Sequence, residues 1–410
     1  MKIGHARIDL TPKEGEEFYL LGYKTPLRNE PAKGIHDHIF SNALLFQKED
    51  DSFFLWSADL LELPEETCED IKTCLEKRFG INRDHIILAV MHNHSSIRDF
   101  HRNWEFGKYN PEYDEFLMQS VEDSYNQCLD NLQNATAKTG EEIIIGYYSN
   151  RNHKGLPADN NVTVVKFYDE QNKPFAAIVN WAVHSTGLGA ENMYLTGDMA
   201  GNTCRKLQEI WGYYPLMLNG AAGDCSNRYN RQGKGFDELD RVTTGLADEI
   251  SKIRCDKSIR IDNIKQISLS HEIVTDMDAY HKVLEEYLDK IKNGQLETLD
   301  HMPQSHLIEK IQGELQRQKF ELNIRFGVVD VGDLRFYVFP GELGSKFGIQ
   351  LREETKGKTV LVAGYANGFN YYFLNKEEYG LSFETIGNPV PPGEPECIVK
   401  KMLEAGAFLS

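Results

Sequence analysis

Residues 86–96 read Ile-Ile-Leu-Ala-Val-Met-His-Asn-His-Ser-Ser, an apolar run of strand length that stops on a pair of histidines. Just upstream, residues 64–79 carry a helical pattern, with Pro64 suited to the first turn and Gly80 to the C-terminal stop. Before that, residues 43–46 and 53–56 read as short strands joined by a charged turn at 48–51. Two strands, a helix and a further strand are what a sheet with helices on its faces requires. The alternation continues with a helix at about 113–132, strands at 143–148, 162–167 and 176–182, a helix near 200–211 and a short strand at 215–219. Residues 323–331 and 335–339 then form a hairpin through Gly332-Asp333, followed by a helix to about Glu354 and the strand Thr359–Ala363. The expected fold is α/β in a mixed α+β arrangement, with mixed β-sheets covered by helices. It forms a single domain over 1–410, and no internal repeat is evident in the residues.

One segment departs from this pattern. Residues 276–320 are rich in Glu, Lys, Leu and Gln, with Glu285, Glu286, Asp289, Lys290 and Lys292 in close succession. Breaks near Gly294 and at 302–304 divide it into two amphipathic helices, so a helical hairpin inserted into the catalytic body is expected, with a lid as one role for it.

The 410 residues carry a net charge of −18, with 40% hydrophobic and 26% charged residues, which suits a globular chain with a substantial core. That acidity argues against a nucleic-acid partner, which needs clustered Lys and Arg, and against electrostatic docking on an anionic membrane. The first fifteen residues hold no apolar stretch of a signal peptide, and no window approaches about 18 apolar residues. Seven scattered cysteines without a Cys-x-x-Cys pair read as reduced thiols, so a cytoplasmic location is expected.

The chemistry concentrates at strand ends. In an extended chain, alternation would put His92 and His94 of His-Asn-His-Ser on one face, a common start to a metal site. A second apolar strand ends at His184, and strand C-termini are where ligands collect in such sheets. No Gly-x-Ser-x-Gly, phosphate-binding loop, Gly-x-Gly-x-x-Gly or His-Glu-x-x-His occurs, so four common catalytic designs are absent.

At these residues the chain resembles the neutral/alkaline non-lysosomal ceramidases. The resemblance runs in order through Ala6-Arg7-Ile8-Asp9-Leu10-Thr11-Pro12, Gly34-Ile35-His36-Asp37, Trp56-Ser57-Ala58-Asp59-Leu60, His92-Asn93-His94-Ser95 and Asn150-Arg151. It continues through His184-Ser185-Thr186 with Gly197-Asp198-Met199-Ala200-Gly201, then Asn219–Ser226, Pro340-Gly341-Glu342 and Ala366–Tyr372. It implies a zinc ion held by His92, His184, Glu342 and Tyr372, with Tyr371 standing beside the last. It also places His94, Arg151 and Ser226 in the active site. Phe383 occupies the position of a further family tyrosine, residues 95–97 are Ser-Ser-Ile rather than Ser-Gly-Pro, and the immunoglobulin-like C-terminal domain of the family is expected to be missing.

The resemblance implies zinc-assisted amide hydrolysis by activated water. His94 would protonate the leaving amine, Tyr372 or Arg151 would stabilise the oxyanion, and Ser226 would act as a hydrogen-bonding group rather than a nucleophile. Because the chain is acidic and the 276–320 segment polar, the expected partner is a soluble small molecule, N-acylated or ester-linked, with no stable membrane association. An ester or lactone hydrolase on the same metal, or a binding homologue without turnover, are the alternatives. Metal analysis with turnover of N-acyl amines separates the three.

Overall fold

The computed structural model describes residues 1–295 and 304–410. Apart from short strands, 3-10 turns and two helices inserted into the third unit, it contains one order of elements three times: a strand, a hairpin, a helix, a strand and a helix. The first unit comprises Lys2–Asp9, the hairpin Phe40–Lys48 with Asp51–Ala58, the helix Glu65–Phe79, the strand Ile86–Val90 and the helix Pro111–Asp130. The second comprises Thr136–Ile143, Asn161–Tyr168 with Pro174–Trp181, the helix Asp198–Trp211, the strand Leu216–Asn219 and the helix Gly235–Ser251. The third comprises Ile264–Val274, Glu321–Val331 with Leu334–Val338, the helix Ser345–Glu354, the strand Thr359–Ala363 and the helix Glu394–Leu409. In every unit the leading strand pairs antiparallel with the hairpin. The hairpin's second strand then pairs in parallel with the strand beyond the helix, as in Phe54↔Ile86, Ile178↔Leu216 and Leu334↔Thr359.

The three sheets share one core. Phe46 packs on Phe53 of its own sheet and edge-on against Phe167 of the second, and Phe53 meets Phe336 of the third. All four rings are fully buried, so each contributes roughly 2 kcal/mol of transfer free energy. The outer face of each sheet is covered by its own two helices, through residues such as Leu75 and Val121, Leu207 and Leu246, or Leu351 and Met402. The mixed α/β expectation therefore holds, with helices over mixed sheets.

Two expectations need correction. The repeat invisible in the residues is plain in the topology, because the units share element order and pairing rather than side chains. The strand expected at 143–148 ends at Ile143. Its apolar residues suggested burial, yet Ile143 and Ile145 are 65% and 72% exposed, and Gly146 has φ +95°. The real strand, Thr136–Ile143, is held by pairing with Asn161–Tyr168 on one side and Lys257–Ile259 on the other.

The 276–320 segment interrupts the pair Ile264–Val274 and Glu321–Val331, whose register closes at Val274↔Glu321. It forms helices Met277–Lys292 and Gln304–Glu314; of the break expected at 302–304, Gln304 already opens the second helix and the rest lies outside the described residues. Leu284, Leu288, Ile291, Leu307 and Ile311 pack together with Ile386 from a distant loop. Lys310 Nζ also donates to the Phe383 carbonyl at 2.7 Å, so the insertion rests directly on the loop that carries Glu384.

Candidate metal centre

Each of the three sheets delivers one group to a common point. His92 follows the strand Ile86–Val90, His184 follows Pro174–Trp181, and Glu342 follows Leu334–Val338. Glu342 Oε2 lies 2.9 Å from His184 Nε2 and 3.5 Å from His92 Nε2. His94 Nε2 lies 3.2 Å from His92 Nε2. Ligating atoms of His92, His94 and His184 all fall within 4.8 Å of one another, so this group could hold a metal ion.

The backbone settles which nitrogens face inward. His92 Nδ1 is 3.0 Å from the Leu61 carbonyl, and His184 Nδ1 is 2.7 Å from the Ala222 carbonyl. A carbonyl only accepts, so both Nδ1 atoms carry the proton and both Nε2 atoms present a lone pair. Two lone pairs and a carboxylate then converge; His92 Nε2 can accept from His94 Nε2, but His184 Nε2 has no aligned hydrogen-bond partner despite its 2.9 Å approach to Glu342. Such an arrangement repels itself unless a cation sits within it, and it is the donor set that suits one.

Electrostatics preserve that state. Burial drives the His92 imidazole down to about 3, only partly opposed by Glu342. Burial likewise holds His94 and His184 well below the ordinary histidine range. All three are neutral at pH 7, as ligation requires. Burial pushes the Glu342 carboxyl up, against the pull of His92 and Arg151.

His92 reaches its place by a different route from strand alternation. Its φ is +56°, a left-handed turn that costs a non-glycine residue about 1–2 kcal/mol. The turn is fixed by Met91 N–H donating to Ala58 O and Asn93 N–H to Leu60 O, both 2.9–3.0 Å. The side chains of His92 and His94 thus meet because the chain bends between them, not because it is extended.

Tyr372 completes one wall. Its hydroxyl accepts from Arg151 Nη2 at 3.1 Å, and its ring lies parallel to that of His184 at 6.4 Å. Tyr371 instead packs edge-on against Phe320 in the third unit's outer core. Arg151 is fixed by Glu384, Nε to Oε1 at 2.6 Å. Burial works against the Arg151 charge, but Glu384, Tyr372 and Glu342 outweigh it. Burial would raise Glu384 too, and Arg151 holds it at about 2 instead. Ser226 lies on the two-stranded ribbon that precedes Arg151, paired with Ser149, and its hydroxyl accepts from the Arg228 N–H at 3.2 Å. It has no base beside it in these contacts.

Two groups at the site had no signal in the sequence. Tyr365 stacks on His92 with ring centres 4.3 Å apart and reaches Glu342 Oε2 at 3.5 Å. Glu384 stands beside Phe383 in a loop without regular pattern, and only its ion pair with a residue 233 positions away reveals it.

The N-terminal family model of neutral/alkaline non-lysosomal ceramidases matches residues 1–210, a stretch that contains His92, His94, Arg151 and His184. Among solved structures, the chain is similar to the neutral ceramidase from Pseudomonas aeruginosa, with a TM-score of 0.75 and 17% identity over 100% of this chain and 74% of that one. It is similar to a ceramidase complexed with C2 at TM-score 0.75 and 16% identity, covering 100% and 75% of the two chains. At these identities the likeness concerns the fold. None of the curated protein sequences matches the chain.

Proposed function

This chain belongs to the neutral/alkaline non-lysosomal ceramidase family, and from that premise we propose that it is a zinc-dependent hydrolase of an amide bond in a soluble N-acylated compound. The observation that carries the proposal is the convergence of two proton-free imidazole nitrogens on one carboxylate oxygen. His92, His184, Glu342 and Tyr372 would hold the ion. When bound, a divalent zinc supplies Lewis acidity, lowering the pKa of water toward 7 and polarising a carbonyl.

The chain's own residues supply the rest. His94, neutral at pH 7, takes the proton that attacking water gives up and returns it to the departing nitrogen, so the proton balance closes. Arg151, locked by Glu384 and touching the Tyr372 hydroxyl, orients that hydroxyl toward the oxyanion. Donors of this kind are each worth on the order of 3 kcal/mol in the transition state. The carbonyls of Leu61 and Ala222 hold the imidazoles in the required tautomer.

Two further features support a soluble substrate and a reducing compartment. The chain is strongly acidic, and no described helix is long and apolar enough to cross a membrane. All seven cysteines are unpaired, which suits a cytoplasmic location. The test is metal analysis with a panel of short N-acyl amines and a long-chain ceramide. One zinc per chain is expected, chelation should remove both metal and turnover, and zinc should restore them. Turnover that survives complete metal removal would reject the zinc role, and ceramide hydrolysed faster than every short amide would reject the soluble substrate.

A further inference from the structure

Between the strand Tyr372–Phe373 and the helix Glu394–Leu409 the chain has no regular element beyond the 3-10 turn Lys376–Glu378, and this loop carries Glu384. Among the described residues, its stretch 380–387 forms only two hydrogen bonds to chain outside the loop. In one, Arg151 Nε donates to Glu384 Oε1 at 2.6 Å. In the other, Lys310 Nζ, from the inserted helix Gln304–Glu314, donates to the Phe383 carbonyl at 2.7 Å. That carbonyl belongs to the planar peptide that ends at the Glu384 Cα. One bond therefore holds the carboxylate of Glu384 and the other holds its backbone.

Lys310 has no other hydrogen-bond partner among the described residues. Its ammonium lies 4.3 Å from the centre of the Phe383 ring, and an added Cβ at Gly387 would stand 3.4 Å from its stem. Burial lowers this ammonium to about 8, against the pull of Glu384 and Glu314, so it stays charged at pH 7. The inserted helices also grip the loop on both sides of Glu384. Gly380, at φ +82°, lies so close to Tyr287 that an added Cβ would stand 2.9 Å from the ring carbon Cζ. Ile386 is buried in one cluster with Leu284, Leu288 and Ile311. At the foot of the insertion, Thr275 Oγ1 donates to the Pro389 carbonyl at 2.6 Å. Beyond Glu384 the contacts run on to the metal centre, because Arg151 Nη2 donates to the Tyr372 hydroxyl at 3.1 Å.

We propose that the insertion is a brace for this loop and that Lys310 is a positioning residue, fixing Glu384 so that Arg151 stays aimed at the Tyr372 hydroxyl. This rests on the amide-hydrolase reading above and adds to it a residue that acts from outside the metal centre.

Lys310→Met keeps a stem against Gly387 and removes the donor. With a short N-acyl amine as substrate, kcat should fall about 10-fold, the lower end of what loss of an outer partner costs. KM should change less than about 3-fold, because the Arg151–Tyr372 pair acts on the transition state. Added to Glu384→Gln, in which the carboxylate is already lost, the same substitution should cost less than about 2-fold more. An undiminished 10-fold loss in the Glu384→Gln background, or an unchanged kcat in Lys310→Met, would overturn the positioning role. Hydrogen exchange gives a readout that needs no turnover. Amides of residues 381–388 should exchange about 10-fold faster in Lys310→Met than in the wild type. Faster exchange in the variant of a protein whose wild type hydrolyses no amide would keep the brace and reject the hydrolase reading. Equal exchange in the two proteins would reject the brace itself.

Discussion

His92→Ala is expected to leave a folded protein with no bound metal and no hydrolysis. His92 contributes one of the two Nε2 lone pairs facing Glu342, and its ring is held by the Leu61 carbonyl on one side and the Tyr365 ring on the other. Losing only an outer partner of a metal ligand costs about 10–100-fold in affinity, so losing the ligand itself costs more than about 100-fold. Turnover should fall with metal content to background. The cavity left by the imidazole is expected to lower stability only modestly, because the alanine also removes the proton-free nitrogen facing a carboxylate. His184→Ala should behave in the same way. The checks are metal content by mass spectrometry, turnover of a short N-acyl amine and thermal unfolding. Full metal occupancy in folded His92→Ala would remove this residue from the ligand set.

His94→Ala is expected to separate the two properties that His92→Ala loses together. The His94 ring has one nitrogen, Nδ1, with no partner, and its Nε2 approaches His92 rather than Glu342. It is also the partly exposed histidine of the three, as a proton carrier facing substrate should be. The variant should keep metal near one ion per chain and lose about 10²–10⁴-fold in kcat, the usual range for a general acid–base group. The limb of the pH–rate profile that reports this group should disappear. Metal lost from His94→Ala but kept in His92→Ala would show that the ligand and the proton carrier are the reverse of the assignment made here.

The fold class was legible in the alternation of strands and helices, and the candidate site in where those strands end. His92 and His184 were legible because each ends an apolar run, and a histidine at a strand's C-terminal end has few structural reasons to be there. Glu342 and Tyr372 were reached only through resemblance, since neither Pro-Gly-Glu nor Tyr-Tyr is informative by periodicity. Geometry then distinguished the two tyrosines, one facing Arg151 and the other Phe320. Long-range partners stayed hidden. Glu384 went unnoticed in the sequence, because pairing across 233 residues leaves no local trace. The threefold order of elements was hidden for a related reason. Each unit covers its sheet with different apolar residues, and the third is split between its first two strands by the helical insertion. The left-handed His92 could not be read either, since its conformation depends on bonds to Ala58 and Leu60 rather than on its neighbours.

A zinc ion held by His92, His184, Glu342 and Tyr372 would be visible at its own absorption edge. Anomalous diffraction at the zinc absorption edge, from crystals of the full chain, tests this ligand set most directly. A single strong peak is expected about 2.0–2.2 Å from His92 Nε2, His184 Nε2, a Glu342 oxygen and the Tyr372 oxygen, with His94 outside ligand distance. No peak between these side chains in zinc-supplemented crystals, or a peak held by His94 with Glu342 and Tyr372 turned away, would contradict it.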